Sequence, residues 1–94
     1  MNLGFIGTGE ITKAVVLGIL TSKIKYKKIY LSKRNTKISN FLNKKSKKII
    51  ILKQNQDIIN KSKIVFLAVT PNVGKKIIKN LKFKKSQIIV SFIS

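Results

Sequence analysis

Asn2-Leu3-Gly4-Phe5-Ile6-Gly7-Thr8-Gly9-Glu10-Ile11-Thr12 decides the fold, because an apolar run breaks there into a glycine-punctuated turn that opens an apolar-periodic helix. It reads as the first strand, phosphate loop and first helix of a dinucleotide-binding unit. Gly7 can take a tight turn that a side chain would hinder, and Gly9 lets the backbone approach a pyrophosphate. The N–H groups that begin the next helix then face the anion. Ile11, Ala14, Val15, Gly18 and Ile19 follow at spacings of three and four, which predicts that this face of the helix is inward. A Gly-x-Gly turn also occurs in α/β domains that bind no nucleotide, and Thr12 stands where the usual fingerprint has its third glycine.

Outward from that stretch, apolar runs alternate with helix-length segments. Lys28-Ile29-Tyr30-Leu31-Ser32 is a short second strand, and Ile49-Ile50-Ile51-Leu52 reads as a buried third. Between them Thr36 or Ser39 can cap a helix with Ile38, Phe41 and Leu42 on one side. Asn55 stands at the next strand-to-helix junction, where capping explains it, before a short helix with Asp57, Ile58 and Ile59. Lys63-Ile64-Val65-Phe66-Leu67-Ala68-Val69 is continuously apolar after its lysine, as a parallel strand covered on both faces would be, and Pro71 stops it. A helix with Val73, Ile77, Ile78 and Leu81 inward leads to a fifth strand, Gln87 to Ile93. The expected fold is α/β, a Rossmann-like doubly wound parallel sheet of order βαβαβαβαβ with right-handed crossovers, in one domain spanning residues 1–94. The chain closes on an apolar strand with no covering turn or helix, which suggests truncation.

The 94 residues suffice for one small domain, and 44% hydrophobic content is ordinary for a packed core. No apolar run approaches the roughly 18 residues of a membrane span, and no basic leader precedes the first strand, so a cytoplasmic protein without membrane attachment is expected. The chain has no cysteine and no histidine, which excludes a disulfide framework and a thiol nucleophile and argues against a transition-metal site. The formal charge of +19, from 21 basic against 2 acidic residues, ordinarily points to nucleic acid or an anionic membrane. Here the basic residues are lysine except Arg34, although arginine is the better bidentate reader of phosphates and bases. Lys, Ile and Asn, abundant throughout, share codons that can be written with A and T alone. Compositional drift is the favoured explanation, and a nucleic-acid partner is not expected.

The end of the second strand selects between cofactors. Dinucleotide folds place there an acidic residue for a ribose 2′-hydroxyl or a basic one for a 2′-phosphate. This chain has Ser32-Lys33-Arg34-Asn35-Thr36, with no carboxylate and with a serine hydroxyl, an ammonium and a guanidinium that can each donate to a phosphate, so NADP (as NADPH) is preferred, with NAD possible. Lys33 means little in so basic a chain; Arg34 is the discriminating residue. No residue pairs a proton donor with a base, so no catalytic residue is assigned, and Glu10 and Asp57 are explained by helix-start electrostatics.

Gly4-Phe5-Ile6-Gly7-Thr8-Gly9, Ser32-Lys33-Arg34, Asn55, Val65 to Pro71 and Ile89-Val90-Ser91 together resemble the N-terminal domain of pyrroline-5-carboxylate reductases, along the whole chain. The resemblance implies an NAD(P)H-dependent oxidoreductase acting on a C=N bond, reducing 1-pyrroline-5-carboxylate to L-proline in proline biosynthesis. It also implies a second, helical domain that dimerises and completes the active site, so the full-length protein would be a homo-oligomer and this chain alone inactive. Carried over, it puts Ile6, Gly7, Thr8, Gly9, Glu10 and Ile11 around the pyrophosphate. Ser32, Lys33 and Arg34 fall at the 2′-phosphate, and Asn55 near the adenosine. Ala68, Val69, Thr70 and Pro71 fall on the nicotinamide side, and Phe92-Ile93-Ser94 begin a further cofactor-contacting segment. Glu10, Thr12, Thr70, Ile93 and Ser94 depart from the family pattern. Other imine and β-hydroxyacid reductases share parts of it, and a basic nucleic-acid-binding module is the alternative of another class.

Overall fold

A computed structural model describes residues 1–92. Nine elements alternate: β1 (Leu3–Ile6), α1 (Glu10–Thr21), β2 (Ile29–Ser32), α2 (Thr36–Asn43), β3 (Ile49–Leu52), α3 (Asn55–Lys61), β4 (Ile64–Leu67), α4 (Pro71–Lys79) and β5 (Ile88–Ser91). The strands form one parallel sheet in the order β3-β2-β1-β4-β5. The expected doubly wound Rossmann-like fold is therefore observed, and Ile93 of the expected fifth strand lies outside the described residues. No described helix is long and apolar enough to cross a membrane.

Alternation along each strand sends neighbouring side chains to opposite faces, so the sheet carries two cores. On one face Leu3, Phe5, Ile29, Leu31 and Ile49 pack with Val16 and Ile19 of α1 and Leu42 of α2. On the other, Ile6, Val65 and Leu67 pack with Ile58 and Ile59 of α3, with half-buried Ile77, Leu81 and Phe83 against them. Burying one such side chain stabilises the fold by roughly 1.5–3 kcal/mol. Phe5 and Phe66 stack across β1 and β4 with centroids 4.4 Å apart. Phe66 in turn stacks on Phe92 at 6.2 Å.

Gly4 is where α3 meets the sheet. A Cβ there would lie 2.3 Å from Ser62 Oγ and 2.6 Å from Ile58 Cγ2, so α3 packs closely only because β1 has no side chain at this point. Gly4→Val is expected to lower stability by about 1–3 kcal/mol, the usual cost of overpacking. Urea denaturation measures it, and an unchanged midpoint would show that α3 retreats freely.

Several local expectations are corrected. The inward face of α1 is Thr12, Val16 and Ile19, while Ile11, Ala14 and Gly18 are exposed. Both sets have helical spacing, and a threonine at the head of the buried set conceals it. Its hydroxyl is satisfied by the carbonyl of Gly7, so the polar group costs little there. Helix α2 is capped by Asn35, not by Thr36 or Ser39. The Asn35 Oδ1 accepts from the Ile38 amide at 3.2 Å. Phe41 turns outward, with the ammonium groups of Lys13 and Lys45 4.8 and 4.7 Å from its ring centre. In α3 the capping position belongs to Gln54 and Asn55 is the first helical residue. Strand β3 is at the sheet edge, so only Ile49 of it is fully buried. Ile64 and Phe66 of β4 are half-buried, and Ile78 of α4 is exposed.

Candidate functional site

In an open parallel sheet, ligands bind beyond the carboxyl ends of the strands, where consecutive crossovers leave in opposite directions. The order β3-β2-β1-β4-β5 puts that point between β1 and β4. A cleft of about 560 Å³ opens there, floored by Gly7, Thr8 and Gly9, with Arg34 on one side and Ala68, Val69 and Thr70 on the other.

The floor is built by backbone geometry. Gly7 has φ +92°, in the left-handed region, and a Cβ on it would sit 2.2 Å from the Ala68 carbonyl oxygen. That carbonyl cannot easily retreat, because the Ala68 amide donates to Ile6 O at 2.8 Å and continues the sheet ladder. Gly9 is extended, at φ −111° and ψ −162°, and stands at the N-cap of α1. A Cβ on Gly9 would meet no atom within 4 Å, so the space above the loop is open at this residue. The first amides of α1 have no partner within the helix and carry its positive dipole end.

Side-chain hydroxyls hold the loop from below. Thr12 Oγ1 donates to Gly7 O at 2.6 Å, and the Gly7 amide donates to Ser32 Oγ at 3.0 Å. Thr8 Oγ1 donates to Ser32 O at 2.7 Å and lies 2.8 Å from Ser32 Oγ. Thr8, Thr12 and Ser32 are all buried.

Of the residues singled out from the sequence, Gly7, Thr8, Gly9, Arg34, Ala68, Val69 and Thr70 come together around the cleft. Ile6 is a fully buried core residue, and Ile11 points away from the core as an exposed residue of α1. Glu10 is exposed in the first turn of α1, Lys33 is exposed after β2, and Pro71 is exposed at the first position of α4. Asn55 borders a second cleft between the start of α3 and α4, together with Gln56, Lys76 and Asn80. The main cleft adds four residues: Asn35, Thr36 and Lys37 at the start of α2, and Val73 of α4. Their only signal in the sequence is position, since three of them directly follow Arg34.

A glycine turn with φ above zero, an open helix N-terminus and a guanidinium at the switch point of a parallel sheet define a dinucleotide-binding α/β domain. Comparison gives the family. The family described as NADP oxidoreductase, coenzyme F420-dependent, matches residues 2–94, and this chain belongs to it. The chain is 30% identical to pyrroline-5-carboxylate reductase 3 of Danio rerio over an alignment of 94 residues, gaps included, that covers 97% of this chain and 32% of that protein. The 1-pyrroline-5-carboxylate reductase of the human pathogen Streptococcus pyogenes has the same fold, with a TM-score of 0.77 at 23% identity. That match covers 100% of this chain and 34% of the other. The chain thus spans about a third of the length of these two relatives.

Proposed function

We propose that this chain is the NADP-binding part of a pyrroline-5-carboxylate reductase. One observation carries the proposal: the glycine turn, the α1 N-terminus and Arg34 border one cleft at the sheet's switch point. The cleft suits a dinucleotide, because its floor offers backbone donors at Gly9 and α1, with room above Gly9 for a pyrophosphate. Arg34, with Lys37 beside it, supplies positive charge for a 2′-phosphate, while Ala68, Val69 and Thr70 form the wall assigned to the nicotinamide. Lys33 and Pro71 adjoin cleft residues in sequence, whereas Asn55 borders the second cleft. The bound cofactor would supply the hydride for a C=N carbon; this chain's part is to hold and orient it. The proposed substrate is 1-pyrroline-5-carboxylate, the proposed setting is the cytoplasm, and the full-length protein is proposed to be a homo-oligomer. The comparisons do not favour a basic nucleic-acid module or another imine or β-hydroxyacid reductase.

Titration of wild type and Arg34→Ala with NADPH and NADH tests the cofactor reading. NADPH is expected to bind more tightly, and the substitution to weaken it about tenfold to a hundredfold, as loss of a charge-assisted hydrogen bond does, with NADH little changed. Equal wild-type affinities would sink the assignment of NADP. DNA binding that falls steeply with salt, with no competition by NADPH, would favour the basic module instead.

A further inference from the structure

We propose that Ser32 is a positioning residue for the phosphate loop and does not itself contact the 2′-phosphate. This inference rests on the nucleotide-binding reading of the cleft. Each hydroxyl has one proton to give. That of Thr8 Oγ1 lies on Ser32 O at 2.7 Å. The 2.8 Å contact between the two hydroxyl oxygens must then be filled by the proton of Ser32, which donates to Thr8 Oγ1. Ser32 Oγ in turn accepts from the Gly7 amide at 3.0 Å. Its proton is spent inside the protein, and at 4% exposure the side chain has almost no surface to offer a ligand.

The same residue is joined to the next helix. Ser39 Oγ, fully buried, lies 2.9 Å from both Ser32 O and Asn35 O, so its one proton has either carbonyl within reach. Thr12 holds the other end of the Gly7 residue through its carbonyl, at 2.6 Å. A buried chain of hydroxyls therefore runs from α1 through the glycine turn and the end of β2 to α2. It ties the loop under the pyrophosphate to the segment that carries Arg34, so the two halves of the cofactor site keep one spacing. Discrimination between NADPH and NADH then falls to Arg34 and the start of α2, while Ser32 supports both cofactors alike.

The test uses this chain with Ser32→Ala and Thr8→Val, and has two readouts. The first is amide hydrogen exchange without cofactor. Loss of the acceptor in Ser32→Ala is expected to speed exchange at Gly7 about fivefold to tenfold, with Phe5 and Leu31 in the adjoining strands unchanged. The second is affinity: NADPH and NADH should weaken by the same factor in both variants, leaving their ratio at the wild-type value. Loss of NADPH affinity alone in Ser32→Ala would overturn the proposal, as would Gly7 exchange at the wild-type rate. If Ser32→Ala does not fold, Thr8→Val decides. It keeps Ser32 and removes the group that takes its proton, so wild-type affinity for both cofactors would overturn the tether and an equal loss would support it. If wild type bound neither cofactor, the nucleotide reading would fail, yet Gly7 exchange would still decide whether Ser32 holds the loop.

Discussion

Gly9→Val is expected to abolish NADPH binding, by at least about a hundredfold, while leaving the fold nearly intact. The two halves of that expectation have separate causes. The fold tolerates the change because a Cβ at Gly9 touches nothing within 4 Å. The residue's extended backbone, φ −111° and ψ −162°, also suits a β-branched side chain. Some stability is lost at the N-cap, on the order of 1 kcal/mol, because valine caps a helix poorly. Binding fails because the isopropyl group would stand above the loop, in the space where a pyrophosphate must approach the α1 amides. Circular dichroism and a thermal melt report the first half, and NADPH titration the second. A folded variant with wild-type affinity would mean that the anion does not sit over this loop. Gly9→Ala should fall between, since one methyl fills less of that space.

The order of elements is legible in the sequence because parallel strands announce themselves as apolar runs separated by helix lengths. Ile49 to Leu52 and Ile64 to Leu67 lie where those runs predict. Which face of a helix turns inward is less legible. Periodicity fits residues 12, 16 and 19 as well as 11, 15 and 18, and only the three-dimensional partner of the Thr12 hydroxyl explains why a polar residue belongs in the core. Edge effects are invisible as well: Ile50, Ile51 and Leu52 have the composition of a central strand, but strand order is a tertiary fact. In the candidate site, the glycine turn can be read because backbone geometry restricts residue type locally. The hydroxyl network cannot. Thr8 and Ser32 are 24 positions apart, and nothing in either residue's neighbourhood predicts the other. Its position at the end of a strand thus points Ser32 toward a phosphate, whereas its hydroxyl bonds to the loop. Nearness in sequence likewise does not say which lysine shares the cleft with Arg34: Lys37 lines it, whereas Lys33 stands exposed after β2.

Gly7→Ala should have the opposite phenotype from Gly9→Val, because the cost falls on the folded chain itself. Two penalties act together. Gly7 has φ +92°. An L side chain in that left-handed region is strained by roughly 1–2 kcal/mol even with space around it. Space is also lacking: the new methyl carbon would lie 2.2 Å from Ala68 O and 2.6 Å from Val69 Cγ1. Relief would require β4's end to move, yet the Ala68 amide is bonded to Ile6 O at 2.8 Å. On the other side, Thr12 and Ser32 hold the Gly7 carbonyl and amide, so rotating the glycine turn away would break both contacts. Overpacking of this kind adds about 1–3 kcal/mol. The combined loss of about 2–5 kcal/mol is a large share of the roughly 5–15 kcal/mol that stabilises a typical domain. Urea denaturation of the two glycine variants beside wild type measures the contrast. The midpoint for Gly7→Ala should fall well below that for Gly9→Val, and any NADPH affinity that Gly7→Ala loses should track its unfolded fraction. A stable Gly7→Ala chain with an unchanged midpoint would mean that the turn adopts another conformation in solution, and the floor of the cleft would have to be redrawn.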